Sequence, residues 1–319
     1  MADDGTEDVR ARTALTAGAP RPVDADLLGL EPDPTHPNVW SLVVEPHLCR
    51  TDGRFYGGAA LAAALACAEA ATGRPALWST TQLVGVGDPG ELLSIAVEVV
   101  ASGRTIDQVQ VRGTTGAPGD PAGRLVFSAV GSTASPNPEG IHAVGRTMPR
   151  VHPPDEAPPW GRLGMDAHER PRVGNHLVSE HRAAALLDPR DDRPGHFALW
   201  ARMTEPAPDG EPAAQRPPRT ASSAAMTPAI LGFLADMVPL AVCQAAGVQG
   251  AGTSLDNSLR LGEVADTEWV LLELDADVAV GGLGHGHVHL WSPDGRLLGV
   301  GTQSARLFTI DDFVNRRAR

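Results

Sequence analysis

The chain has 319 residues, 42% of them hydrophobic and 20% charged; this is a globular composition, long enough for two domains and for a large core without disulfide support. A formal net charge of −13 leaves no general basic face and excludes a broad nucleic-acid role. All 26 Lys+Arg positions are arginine, which rules out a lysine Schiff base and a P-loop.

Residues 1–37 are acidic and rich in proline, glycine and alanine, and read as a flexible arm. The first twenty hold Asp3, Asp4, Glu7 and Asp8 and lack an apolar stretch, so no signal peptide is predicted. No apolar run reaches the ~20 residues of a membrane helix, so a cytoplasmic protein with no membrane partner is expected. Residues 39–44 alternate like a strand. Gly57-Gly58 opens an alanine-rich helix over 58–72, apolar nearly all round and therefore buried. After the breaker Gly73-Arg74-Pro75, strands are predicted over 77–86, 92–101, 106–114 and 124–132, separated by glycine-bearing turns. Residues 135–180 are dense in proline and charge and read as a linker with room for short ordered pieces. The pattern then returns. A strand over 197–203 and a proline-rich loop over 206–218 precede a helix over 228–246, opened by Thr227 as N-cap and Pro228 at N1 and closed by Gly247. Strands follow over 253–261, 269–280, 283–291 and 296–307, with Ser292-Pro293-Asp294-Gly295 as the last hairpin turn.

The order is strand, buried helix, four strands, and then the same again. Gly123-Arg124-Leu125 in the first half parallels Gly295-Arg296-Leu297 in the second, so the unit is a duplicated domain, over 38–134 and 181–319. One apolar helix followed by antiparallel strands predicts an α+β fold with each sheet curled around its helix. Cys49, Cys67 and Cys243 are odd in number and far apart; they read as reduced, buried thiols rather than a disulfide framework or metal site.

Gly53-Arg54-Phe55-Tyr56-Gly57-Gly58, Leu234-Ala235-Asp236-Met237-Val238-Pro239, Ser254-Leu255-Asp256-Asn257-Ser258, and Asp294-Gly295-Arg296-Leu297 followed by Gln303 resemble the acyl-CoA thioesterase II family. The resemblance runs from about residue 39 to 308. It implies a tandem double hotdog that hydrolyses acyl-CoA to acid and CoA without a cofactor or metal. In it Asp236, Ser254 and Gln303 would hold the attacking water, and further association into a homo-oligomer would follow. Asn257 stands where the family has histidine, and Leu259-Arg260-Leu261 replaces the aromatics that often follow. The acyl pocket is therefore expected to differ in shape.

The chemistry suits these residue types. A carboxylate on an otherwise apolar helix accepts a proton from water, and burial raises its pKa toward the working range. A glutamine holds the same water without titrating, and a serine hydroxyl adds a contact. Taken singly, Asp236 reads as an exposed helix residue or a cap, Ser254 as an ordinary strand residue, and Gln303 as one pointing out of a sheet. Asp256 would share a face with Ser254 in a regular strand and is a rival base or a structural hydrogen-bonder. Gly57 and Gly58 permit close approach at a helix N-terminus. Arg54 and Arg104 are candidate partners for CoA phosphates, and Asp256 and Asn257 for the substrate. His285, His287 and His289 alternate on one strand. Their ~6.5–7 Å spacing suits a polar sheet face better than one metal ion. A hydratase or dehydratase would want a histidine on a helix and neither helix has one; a non-catalytic acyl-CoA-binding or scaffolding protein is the other alternative.

Overall fold

The computed structural model describes residues 19–160, 173–205, 226–263, 265–309 and 312. The segment 206–218, expected to be a proline-rich loop, lies outside the described residues. The N-terminal unit comprises α1 (Pro22–Leu28), β1 (Glu31–Pro32), β2 (Val39–Val43), α2 (Gly57–Thr72), β3 (Ala76–Leu83), β4 (Leu92–Ser102), β5 (Ile106–Thr115) and β6 (Leu125–Ala134). The C-terminal unit comprises β7 (Ser179–Ala184), β8 (His196–Met203), α3 (Pro228–Ala235), α4 (Val238–Ala245), β9 (Gly250–Leu261), β10 (Val270–Val280), β11 (Leu283–Trp291) and β12 (Leu297–Thr309). The α+β tandem double hotdog is borne out.

All pairing is antiparallel within one sheet of twelve strands, ordered β1-β2-β4-β5-β6-β3-β9-β12-β11-β10-β8-β7. The order reads alike outward from the β3–β9 seam, as duplication requires. There Trp78 faces Arg260 and Thr80 faces Ser258. The Thr80 and Ser258 hydroxyls are 2.8 Å apart, and the Arg260 guanidinium lies 5.0 Å from the centre of the Trp78 ring. Joining at the seam removes one exposed edge from each unit.

Helix α2 is buried along almost its whole length. It packs on α3 where Gly232 faces Leu61 and Leu65. Residues 228–245 are long and apolar enough to cross a membrane but are mostly buried inside the protein, and they form two helices instead of the single one expected. Pro239 has no N–H for the Ala235 carbonyl four residues back, and its ring clashes with that carbonyl. The chain accordingly breaks at Asp236-Met237, where the Met237 N–H turns to the Ala235 carbonyl at 2.8 Å.

Two further segments carry ordered structure, the first against expectation. Within the supposed arm, α1 has Pro22 at its start and the left-handed Gly29 after its end, and it buries Leu27 and Leu28. Within the supposed linker, residues 148–160 lie along the C-terminal sheet. Val151 pairs with Leu186 and Pro159 with Arg182, while Met148 and Val151 pack on a small core containing Trp200 and Trp291.

Candidate active site

The break after α3 decides where Asp236 points. As the residue that ends α3 (φ −75°, ψ 61°), it leaves the helical path and meets the N-terminus of α2 from the other unit. Its Oδ2 accepts the Gly58 N–H at 2.7 Å, and its backbone carbonyl accepts the Tyr56 hydroxyl at 3.1 Å. The Tyr56 ring is held edge-on to Phe233, 5.3 Å between centres. A carboxylate at a helix N-terminus is stabilised by unpaired N–H groups and the positive end of the helix dipole.

Both glycines make that approach possible. A Cβ at position 57 would lie 2.7 Å from Asp236 Oδ2 and 3.4 Å from the Ser254 Cβ, and one at 58 would lie 2.5 Å from the Phe233 carbonyl oxygen. The glycine pair thus seats a carboxylate of the same chain.

Asp236 Oδ1 is shared by the other two residues. Ser254 donates its hydroxyl to it at 3.1 Å, and Gln303 donates through Nε2. The same Gln303 Nε2 also reaches Ser254 Oγ at 2.7 Å. Asp236, Ser254 and Gln303 are buried, with relative exposures of 8%, 7% and 1%. Burial pushes the Asp236 carboxyl above its usual range, partly opposed by the hydrogen bonds from Gln303, Ser254 and Gly58 and by the positive charge of Arg50. Elevation by desolvation suits a general base working near neutrality.

The rival carboxylate is turned away by a β-bulge. Ser304 pairs with Asp256 and Ala305 with Ser254, so Leu255 is an extra residue on β9. The alternation slips, leaving Ser254 and Asn257 buried on the inner face and Leu255 exposed. Asp256 accepts the Ser304 N–H at 2.7 Å and serves the bulge. It therefore does not share a face with Ser254, as a regular strand would have it.

Of the arginines, Arg54 is exposed in the loop leading into α2. Arg104 lies in the β4–β5 turn, where its carbonyl accepts from Arg74, just past the C-terminal end of α2. The helix length of about 24 Å, at ~1.5 Å per residue, separates it from Asp236, so the structure does not bring it to this group. Sequence reasoning missed Arg50. It bridges the units by donating to Thr253 Oγ1 at 3.2 Å while pairing with Asp52 at 2.6 Å, and no spacing or motif marked it. Glu69, near the C-terminal end of α2, is paired with Arg21 at 2.9 Å and accepts the Ala76 N–H at 2.8 Å.

His285, His287 and His289 lie on the outer face of β11, opposite the Gly286 and Val288 face that meets the helices. They stand 3.6, 3.2 and 3.8 Å from Asp277, Asp277 and Glu273. Among the described residues no cluster of histidine, cysteine, aspartate and glutamate could hold a metal ion.

Comparison with known proteins agrees with this fold. A family model described as the acyl-CoA thioesterase N-terminal domain matches residues 46–134, and one described as the acyl-CoA thioesterase C-terminal domain matches 149–307. A crystal structure from Novosphingobium aromaticivorans, assigned as a thioesterase, is 30% identical with a TM-score of 0.68, covering 84% of this chain and 94% of that one. An acyl-CoA thioesterase II of Mycobacterium marinum is 20% identical with a TM-score of 0.65, covering 90% of this chain and 98% of that one. A structure from Thermobifida fusca assigned as a thioesterase II is 15% identical with a TM-score of 0.69, covering 89% and 97%. The last two show likeness of fold alone. No curated protein matches the chain.

Proposed function

The chain belongs to the double-hotdog acyl-CoA thioesterase family, and from that premise we propose that Asp236, Ser254 and Gln303 hold the water that cleaves acyl-CoA to a free acid and CoA. The observation that carries this reading is the convergence of three polar side chains from α3, β9 and β12 on one buried point. Asp236 takes a proton from the water as its oxygen attacks the thioester carbonyl carbon. The carbon–sulfur bond of the tetrahedral intermediate then breaks, and the proton passes to the leaving thiolate. Gln303 and Ser254 orient the water, and the N-terminal end of α2 offers a positive field to the developing oxyanion. No covalent acyl-enzyme is needed. Arg54 is the cation assigned to the CoA phosphates, and the three buried free thiols suit action in the cytoplasm.

Thiol release from a panel of acyl-CoAs tests the reading directly. Asp236→Asn keeps the shape and removes the proton acceptor, and should lower kcat on the order of 10²-fold or more. Wild-type turnover with an equally active Asp236→Asn would move the base elsewhere. Absence of thiol release by the wild type would leave acyl-CoA binding without turnover as the function.

A further inference from the structure

Three side chains lie side by side on the inner face of the sheet, in one row across the seam. Thr81 on β3 faces Asn257 on β9, and Asn257 faces Gln303 on β12. All three are buried, at 0, 2 and 1% exposure. Thr81 Oγ1, Asn257 Nδ2 and Gln303 Oε1 have no hydrogen-bond partner among the described residues. Directly opposed residues of antiparallel strands are roughly 4.5–5.5 Å apart at Cβ, so the unpaired atoms form one group. The outer face of the same strands is different, because there Thr80 and Ser258 satisfy each other at 2.8 Å. A buried polar atom left unpaired is costly, and three in adjacent places call for a common partner.

The partner's chemistry follows from the atoms. Gln303 Nε2 points to Asp236 and Ser254, which fixes the amide so that the unpaired atom is Oε1; it accepts only, and its two lone pairs serve both the attacking water and one substrate donor. Asn257 Nδ2 can only donate, and the threonine hydroxyl does either. A plain hydrocarbon satisfies none of them, and a keto oxygen cannot serve Oε1. A hydroxyl both donates and accepts, and so suits Asn257 in either orientation of its amide. Because Oε1 and Nε2 belong to one amide, the group bound at Oε1 sits within a few bonds of the carbonyl attacked beside Nε2.

We propose that Thr81, Asn257 and Gln303 Oε1 form a subsite for a hydroxyl near the thioester, making 2- or 3-hydroxyacyl-CoA the preferred substrate class. The proposal rests on the thioesterase reading above and adds to it a residue, Thr81, from the unit that carries none of Asp236, Ser254 and Gln303. Sites built to bind a substrate hydroxyl discriminate strongly against analogues lacking it.

The experiment compares kcat/KM for thiol release from 3-hydroxybutyryl-CoA and butyryl-CoA, and from 2- and 3-hydroxyoctanoyl-CoA and octanoyl-CoA. Wild type should favour a hydroxylated substrate by about tenfold or more. Thr81→Val and Asn257→Leu should each pull that ratio toward one. A wild type that prefers the plain chains, or treats both alike, overturns the proposal while leaving the thioesterase reading standing, and this holds even if a variant fails to fold. Variants that slow both substrates equally also overturn it, since a structural role or a bound water would do that. Failure of the wild type to cleave any of these thioesters sinks the thioesterase reading and this proposal with it.

Discussion

Asp236 is held by donors that favour its charged form and by burial that disfavours it, and burial is the larger cause. Its net pKa is raised, so the fraction ready to act as base increases as pH rises through that raised value. Removing a donor must raise it further. Gln303→Ala and Ser254→Ala should therefore each shift the acidic limb of the kcat/KM–pH profile to higher pH, as well as lowering the plateau. An unmoved limb in both variants would mean that the limb does not report Asp236. The two residues also bond to each other, so the double variant should lose less than the product of the single losses. Asp256→Asn is the contrasting case. The amide keeps an oxygen for the Ser304 N–H, so turnover within a few-fold of wild type is expected. Abolished turnover there would assign the base to Asp256.

At the scale of elements, the site is a crossing of helix ends. The start of α2 passes the end of α3 so closely that the Gly58 N–H bonds the Asp236 carboxylate, and a Cβ at 58 would meet the Phe233 backbone carbonyl at 2.5 Å. Backbone cannot move aside as a side-chain tip can. Gly58→Ala should cost about 1–3 kcal/mol of stability, the usual range for overpacking, and should remove most activity by displacing Asp236. Thermal unfolding and thiol release in parallel would check both, and a stable, fully active variant would contradict the crossing. Much of this layer was legible in the sequence. Alanine-rich and alternating segments announced α2 and ten of the strands through their different periods. The break between α3 and α4 was signalled by Pro239, but a uniformly apolar run on both sides favoured one helix. The bulge at Leu255 was not legible, because it comes from the register with β12, and that slip is what separates Asp256 from Ser254.

For the whole molecule, duplication supplied the scaffold and a division of labour arose between the halves. Asp236, Ser254 and Gln303 come from the C-terminal unit, while Gly58 and Tyr56 reach Asp236 from the N-terminal one and Arg50 reaches the neighbouring Thr253. The pairing of two units was legible from the repeat, but the contact between Gly58 and Asp236 was not, since 178 residues separate them. A second tie between the halves lies at the other end of α3. Asp24 of α1 is fully buried and accepts the hydroxyl of Thr227, the residue that caps α3. Composition hid this tie, because α1 is seven residues long amid proline, glycine and acidic neighbours. The Asp24 carboxyl is raised from 3.8 to about 6, chiefly by burial and further by Glu69, against the lowering effects of Thr227 and Arg21. Glu69 is itself raised by burial, with Arg21 and the Ala76 N–H opposing. With a folded pKa above the unfolded one, the folded state binds the proton more tightly. Its stabilising contribution is complete below about pH 4 and is lost as pH rises through about 6. Asp24→Asn removes that dependence. Its stability relative to wild type should therefore be greater at pH 7.5 than at pH 4, by up to roughly 3 kcal/mol at ~1.4 kcal/mol per unit. A constant penalty from the amide's own unpaired N–H shifts both ends equally and cancels in the comparison. Denaturant unfolding of both proteins at the two pH values measures the difference; a constant gap would show that Asp24 titrates at its ordinary value, and a gap that widens toward pH 4 that the folded state lowers its pKa instead of raising it.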